Sequence, residues 1–227
     1  MKITYLDHSG FSVETERLLL VFDEYNPKPD ANGCGIVTAE QVEEKPNSLL
    51  LLSHSHSDHW CREVTQLPFG DILLSEDFPN DVRGVRMKEG DVLKVQGAAV
   101  RAFGSTDMGL SFLVDAEGKR IFHAGDYNLW HWEDESTQQE IDEATEWFER
   151  ILKDLAPYAG TIDLAFFPLD PRMGKNTARG IERFMEVMQP GVVIPMHCQN
   201  DHALPEGFAA AHEQVIALTV RGQTAEL

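Results

Sequence analysis

The sequence predicts a mixed α/β fold (α+β), with a β-rich first half and a β-α-β-α second half. Short runs rich in Val, Ile, Leu and Phe dominate the first half, and turn residues separate them. From residue 132 the apolar residues recur at helical spacing instead. Such a chain forms either two packed sheets with helices outside or two small domains. Because no Pro- or Ser-rich linker divides it, we expect a single domain over residues 1–227.

The strands of the first half follow one another at short intervals. Segments 32–35, 89–91 and 117–119 contain the glycines of turns, since glycine adopts backbone angles that other residues resist. This spacing is typical of a meandering sheet. The predicted strands are residues 3–6, 11–14, 18–22, 48–52, 71–74, 91–95, 98–102, 110–114 and 120–122.

The second half begins with a long amphipathic helix. Ser136 or Thr137 can cap it, and apolar residues from Ile141 to Leu155 recur at intervals of three, four and seven positions. The opposite face is acidic, which is typical of a solvated surface. The elements predicted after it are a strand at 161–167, a helix at 176–188, a strand at 191–196 and a helix at 203–217.

The composition argues against several classes of function. Thirty-eight acidic and nineteen basic residues give a net charge of −19, which disfavours binding to nucleic acid. The apolar runs are too short to span a membrane, and the first residues lack the pattern of a secretory signal. Three widely spaced cysteines are typical of a reducing compartment. We therefore expect a cytoplasmic protein that neither spans a membrane nor binds nucleic acid.

Residues 53–59 read Ser-His-Ser-His-Ser-Asp-His and form the most informative motif of the chain. The motif holds three imidazoles and a carboxylate, those of His54, His56, His59 and Asp58. Imidazole is the commonest neutral metal ligand, and a carboxylate adds negative charge. This mixture suits Zn²⁺ or a similar first-row ion.

Two further candidate ligands follow predicted strands, as this motif does. The histidines begin where the buried run 49–52 ends. Asp126 comes shortly after the strand at 120–122, and His197 directly follows the strand at 191–196. Sites in open α/β sheets form beyond the carboxyl ends of strands, so we expect these segments to converge on one site.

At these residues the chain resembles the metallo-β-lactamase superfamily, whose H-x-H-x-D-H signature is matched at residues 54–59. Segments 122–126 and 194–197 are similar to that family's later aspartate and histidine segments. Segments 5–11 and 161–168 are similar to its sugar-phosphate lactonase and N-acyl-phosphatidylethanolamine phospholipase branch. The resemblance therefore extends over most of the chain.

The resemblance implies a four-layer αββα sandwich with two metal ions at one edge. The implied ligands are His54 and His56 for the first ion, Asp58, His59 and His197 for the second, and Asp126 as a bridge. The protein is then expected to be a metal-dependent hydrolase, whose metal-bound hydroxide attacks a small ester, lactone, amide or phosphodiester. One or two zinc ions are the expected cofactor, and the same ligands accept manganese or iron.

One position departs from the family pattern. The first metal usually receives a third histidine, and Ser105 stands at that position here. Three outcomes follow: Asp107 takes its place, another side chain such as His8 does so, or the first site is weak and one metal suffices. The alternative function is therefore a non-catalytic or mononuclear metal-binding member of the same fold.

The segment 130–132, Trp-His-Trp, lies just past Asp126. Its tryptophans either wall a pocket or pack in the core, and His131 is a candidate substrate contact or acid. His131 and Asp58 are therefore our candidate catalytic residues. Asp170 and Arg172, after the strand at 161–167, are candidates to line the pocket.

Two other histidines lie near the candidate ligands in the sequence. His202 lies in a polar loop five residues after His197 and is a further site candidate. His123, three residues before Asp126, is expected to be buried and hydrogen-bonded in a structural role.

Overall fold

A computed structural model describes residues 1–132, 135–198 and 204–227. It contains two β-sheets, ordered β13-β1-β2-β3-β4-β5-β6 and β12-β11-β10-β9-β8-β7. The strands are β1 (Lys2–Asp7), β2 (Gly10–Glu14), β3 (Leu18–Phe22), β4 (Asn47–Leu52), β5 (Asp71–Ser75), β6 (Val85–Met87), β7 (Val92–Val95), β8 (Ala98–Gly104), β9 (Leu110–Ala116), β10 (Lys119–His123), β11 (Leu164–Pro168), β12 (Val192–Met196) and β13 (Thr224–Glu226). The helices are α1 (Ala39–Glu44), α2 (Gln138–Leu155), α3 (Arg179–Met188) and α4 (Phe208–Ala211).

The pairing of the strands is only partly that of a meander. β7 to β10 pair antiparallel in sequence order, and the β9–β10 turn has positive φ at Glu117 and Gly118, as in a type I′ turn. In the first sheet, however, β3 to β6 are parallel, so the predicted meander is wrong there. The reason is visible in β3 and β4, which are apolar at nearly every position because both of their faces are buried.

Aromatic side chains join the two sheets face to face. Phe11 of β2 stacks on Phe166 of β11, with ring centroids 4.2 Å apart. Phe22, at the end of β3, stacks on His123, at the end of β10, at 4.9 Å. Such rings bury much of the apolar surface between two sheets. Because the sheets share this core, we infer that residues 1–227 form one domain.

Side chains of the first sheet alternate between the shared core and an outer core. In β3, Leu20 and Phe22 belong to the shared core. Leu19 and Val21 point the other way, into an outer core that includes Val42 of α1. A helix therefore covers the outer face of this sheet.

Helices α2 and α3 cover the outer face of the second sheet. Phe184 of α3 stacks on Phe122 and Phe167, with centroids 5.4 Å and 4.5 Å away. Phe148 of α2 stacks on Tyr127 at 4.8 Å. The resulting order is helix, sheet, sheet, helices, which confirms the predicted fold class.

The helices differ from their predictions mainly at the ends. α2 begins after Thr137, which forms a capping box with Glu140, as expected. The helix predicted at 176–188 begins three residues later, because Pro171–Asn176 forms a 3₁₀ turn. In the described part of the predicted helix 203–217, only Phe208–Ala211 is α-helical. The sequence did not predict α1, β6 or β13, which are three to six residues long.

The described segments contain no helix with the length and apolar character needed to cross a membrane.

The buried side chain of Glu24 joins the two ends of the long loop between β3 and α1. Its side chain is buried and accepts the backbone N–H of Val37 at 2.8 Å. Its Oε2 atom has no hydrogen-bond partner among the described residues. Burial raises the pKa of Glu24 from 4.5 to about 7. Below about pH 7 the folded protein therefore favours the protonated form of the Glu24 carboxyl.

Glu24→Gln is expected to change how stability depends on pH. In the wild type, the contribution of Glu24 to the free energy of unfolding falls as the pH rises from about 4.5 through about 7, because the buried carboxyl must ionise. The amide keeps the acceptor for Val37 and does not ionise. The unfolding free energy of the variant, relative to wild type, should therefore rise by about 3 kcal/mol across this range. Urea unfolding between about pH 5 and pH 8 measures it.

The control is Glu43→Gln, the same substitution at an exposed position of α1. Its stability relative to wild type should change little with pH. An equally flat difference for Glu24→Gln would show that Glu24 is not held protonated in the folded state.

Candidate metal centre

The polar residues of the site all follow strands whose carboxyl ends lie at one edge of the sandwich. His8, Asp23 and Ser53 follow β1, β3 and β4 of the first sheet. In the second sheet, Asp126 follows β10 by three residues, Asp170 follows β11, and His197 follows β12. At this edge each apolar strand is followed by a polar, charged or imidazole side chain. The predicted convergence of residues 54–59, Asp126 and His197 is therefore present in the structure.

Two clusters of side chains at this edge could each hold a metal ion. The first cluster consists of His54, His56 and Asp126. The second cluster consists of His8, Asp58, His59 and His197. Within each cluster, the potential ligand atoms lie within 4.8 Å of one another. Imidazole and carboxylate are donors that suit first-row divalent ions.

The carboxylate of Asp126 lies between the two clusters. Its Oδ2 atom is 3.4 Å from Nε2 of His54, in the first cluster. Its Oδ1 atom is 3.1 Å from Nε2 of His59 and 3.4 Å from Nε2 of His197, in the second cluster. One buried carboxylate thus presents one oxygen to each candidate site.

Buried carboxylates fix two of the three histidines of the second cluster, His59 and His197. Asp23 lies 2.8 Å from Nδ1 of His59, and Asp170 lies 2.9 Å from Nδ1 of His197. A hydrogen bond at Nδ1 sets the tautomer and leaves Nε2 directed at the site. The same arrangement is typical of histidines that bind metals.

Ser53 fixes the orientation of the His54 ring in the first cluster. Its backbone N–H and hydroxyl both donate to Asp23, at 2.7 Å and 2.6 Å. Because the hydroxyl proton is used there, its oxygen accepts from Nδ1 of His54 at 2.8 Å. Asp23 therefore orients one ring in each cluster.

The charges at this edge shift several pKa values. Burial alone would raise the pKa of Asp126, but the neighbouring His59 and His197 hold it well below the usual range. Burial would lower the pKa of His59, yet Asp126 and Asp23 hold it well above its ordinary value. Burial also opposes ionisation of Asp170, whose pKa is kept low by hydrogen bonds from His197 and Arg172. The carboxylates are thus ionised and attract cations.

Three buried atoms at the second cluster test whether the site fits a cation. Nε2 of His8, Nε2 of His59 and Oδ1 of Asp126 have no hydrogen-bond partner among the described residues. Buried polar atoms without partners are rare, because each costs about 1 to 3 kcal/mol. His8 and His59 belong to the same cluster, and Oδ1 of Asp126 lies 3.1 Å from Nε2 of His59, so a cation bound there would satisfy these atoms. The donor set therefore fits a divalent metal ion.

Two glycines let the backbone segments of the site approach closely. A Cβ atom at Gly109 would lie 2.1 Å from the carbonyl oxygen of Ser53 and 2.5 Å from Cβ of His54. A Cβ atom at Gly125 would lie 2.6 Å from the carbonyl oxygen of Leu110. Both glycines also have positive φ. They allow the segments before β9 and after β10 to pack on the residues that follow β4.

Ser105 does not join the first cluster in the structure. It is buried, and its Oγ atom accepts the backbone N–H of Asp107 at 3.3 Å. Of the three outcomes considered, replacement by His8 is wrong, because His8 belongs to the second cluster. Asp107 lies beside the first cluster, with its Oδ2 atom 3.9 Å from Nδ1 of His56, but its side chain is 51% exposed. Replacement by Asp107 and a weak first site both stay open.

A pocket of about 370 Å³ opens onto both clusters. The lining residues are His56, Asp58, Thr106, Asp107, Asp126, Trp130, Trp132, Arg172 and His197. Trp130 is fixed by a hydrogen bond from Nε1 to the carbonyl oxygen of Asp126, at 2.7 Å. Trp130, Trp132 and Arg172 therefore line the pocket. Of the two alternatives for the tryptophans, this is the pocket wall and not the core.

Three other predicted candidates have different outcomes. His131 is buried, and its carbonyl oxygen accepts from the side chain of Asn176 at 3.2 Å. The lining residues include its two tryptophan neighbours and not His131, whose catalytic role stays a prediction. His202 lies outside the described residues. His123 is buried, with Nε2 2.9 Å from the carbonyl oxygen of Ser9, in the structural role expected.

The sequence interpretation missed the orienting carboxylate of Asp23 and the place of His8. Asp23 directly follows the apolar run of β3, which is the rule that identified Asp126 and His197. Applied to every buried strand, that rule would have found it. His8 lies in the short connection between β1 and β2, and its position depends on how the sheets pack.

Comparison with known proteins decides the family. A profile described as a beta-lactamase superfamily domain matches residues 2–197 of this chain. The chain belongs to the metallo-β-lactamase superfamily. A UPF0173 metal-dependent hydrolase of Pelotomaculum thermopropionicum is 24% identical, over 100% of each chain. Igni18, a metallo hydrolase of Ignicoccus hospitalis, shares the fold with a TM-score of 0.67, at 18% identity over 99% of this chain and 97% of that one.

Not all structures with this fold are named as hydrolases. CmlA, a diiron β-hydroxylase of Streptomyces venezuelae, has a TM-score of 0.60 at 13% identity, over 86% of this chain and 44% of that one. The superfamily, the fold class and the predicted class of enzyme, a metal-dependent hydrolase, are confirmed. The lactonase and phospholipase branch stays a prediction.

Gly109→Ala is expected to damage the metal centre more than Gly118→Ala. Both glycines have φ near +75° to +76°, so alanine meets a similar backbone penalty at each. Only at Gly109 would the new Cβ collide with Ser53 and His54, since nothing lies within 4 Å of the Cβ position at Gly118. We expect Gly109→Ala to cost about 1 to 3 kcal/mol more.

Urea unfolding and metal content per chain check this expectation. Gly118→Ala should retain the metal content of wild type, whereas Gly109→Ala should lose part of it. Equal stability and metal content in the two variants would contradict a close approach at Gly109.

Proposed function

We propose that this protein binds two divalent cations, one at each cluster, and hydrolyses a small ester, lactone, amide or phosphodiester. The observation that carries the proposal is the placement of Asp126, whose two oxygens face two separate groups of histidines. A carboxylate in this position can bridge two ions. Ions bound there would make a water molecule acidic near neutral pH and would polarise the scissile bond of the substrate.

The residues of this chain would prepare the site for that chemistry. Asp23, Asp170 and Ser53 hold imidazole rings with Nε2 directed inward, so little reorganisation is needed on binding. Asp58 lines the pocket with a side chain that is 53% exposed. We assign to its carboxylate a place in the second site and, as a catalytic group, the task of accepting a proton from water.

The pocket favours a small substrate with both an apolar and a polar part. Trp130 and Trp132 offer apolar surface on the wall, and the guanidinium of Arg172 lies on the same pocket. Arg172 is ion-paired with the buried carboxylate of Asp170, which fixes it beside His197. The reactive carbonyl or phosphoryl group would lie at the part of the pocket wall formed by His56, Asp58, Asp126 and His197, where the proposed metal sites open.

Zinc is the cation that we propose, with manganese and iron as alternatives. Histidine and aspartate donors accept all three ions, and availability often decides among them. A cytoplasmic location and membership of the lactonase and phospholipase branch also belong to this proposal, on the sequence features described above.

A mononuclear or non-catalytic metal-binding protein is the second candidate function. It is favoured by Ser105, because among the described residues no third histidine joins His54 and His56 in the first cluster. Such a protein would bind one ion at the second cluster. Metal content per chain separates the two candidates.

Asp126→Asn is expected to reduce bound metal and to abolish metal-dependent hydrolysis. Asparagine keeps the shape of the side chain but removes the charge that both clusters share. We expect bound metal to fall from two ions per chain to at most one. Elemental analysis of untagged protein, with a turnover screen on generic ester, lactone and phosphodiester substrates, measures both effects.

His212→Ala is the control, because this histidine lies at the end of α4 and belongs to neither cluster. Its metal content and turnover should match those of wild type. Two ions per chain and undiminished turnover in Asp126→Asn would refute the proposed centre, and one ion in wild type without turnover would favour the second candidate.

A further inference from the structure

His8 is held at the second cluster by the backbone that follows β1. Its φ of 50° lies in the left-handed region, which costs a non-glycine residue about 1 to 2 kcal/mol. Its carbonyl oxygen accepts the backbone N–H of His197 at 3.2 Å. The two imidazole rings lie against each other, with centroids 4.1 Å apart. The loop and β12 therefore fix His8 and His197 together.

The side chain of His8 ends in a buried nitrogen directed into the second cluster. The residue is only 6% exposed, and Nε2 has no hydrogen-bond partner among the described residues. Nε2 lies 3.6 Å from Oδ2 of Asp58. Leaving such a nitrogen without a partner costs free energy, which a bound cation would recover. Packing of the ring alone does not explain where this atom points.

We propose that His8 is a ligand of the second metal ion, so that the two sites of the centre are unequal. This inference rests on the proposed function. The second site would have donors from His8, Asp58, His59, His197 and the shared Asp126. The first site would have His54, His56 and the same Asp126, with the half-exposed Asp107 beyond them.

The unequal donor sets imply an order of loading. An ion gains more from five donors than from three when each donor is already oriented, so the second site fills at a lower metal concentration. The first site then fills only when the metal is more abundant. His8, from the β1–β2 connection, thus adds a donor to the second site and not to the first, where Ser105 stands in place of the usual histidine.

Zn²⁺ titration of the metal-free protein, followed by isothermal calorimetry, tests the proposal. Wild type should bind one ion tightly and a second one more weakly. His8→Phe keeps an aromatic ring against His197 and removes the nitrogen. It should weaken the tight step by at least about tenfold and leave the weak step unchanged. Ser105→His is the matched change at the other site and should strengthen the weak step alone.

The outcomes separate the two proposals. A tight step in His8→Phe that equals that of wild type overturns the assignment of His8 and leaves the proposed function standing. A wild type that binds no Zn²⁺ overturns the proposed function, and this inference with it. Far-ultraviolet circular dichroism checks that each variant folds. If His8→Phe does not, His8→Asn gives the same comparison, because asparagine tolerates a positive φ.

Discussion

The buried carboxylate of Asp126 is the group on which the rest of the site depends. Its charge lies in the interior, where an unpaired ion costs several kcal/mol. His59 and His197 offset that cost on one side and His54 on the other. Any cation that binds here also neutralises Asp126, so metal binding and the stability of the fold are coupled.

The two-sheet sandwich brings the charged and imidazole side chains of the site together at one edge. Strands β3 and β4 pair parallel in one sheet, and β10, β11 and β12 pair parallel in the other, so their carboxyl ends gather at one edge. The last three residues of each of these strands are buried. At that edge the chain changes within one to three residues from the core to polar and charged groups that contact one another.

Much of this could be predicted from the sequence, because the motif at 54–59 is dense and specific. Asp126 and His197 were found because each follows a strand, and the strand runs were mostly correct. The parallel pairing of β3 and β4 was not found, since apolar runs do not reveal the direction of a partner strand. His8 was one of three alternatives for completing the first site and lies in the second cluster instead, where it packs against His197 from the far end of the chain. Residues that act through tertiary packing leave little local signal.

Anomalous X-ray diffraction from crystals grown with Zn²⁺ tests the central claim most directly. The account predicts two zinc peaks, one on each side of the Asp126 carboxylate. One peak should lie against His54 and His56, and the other against His59 and His197. A single peak, or peaks that do not share Asp126 as a ligand, would contradict the account.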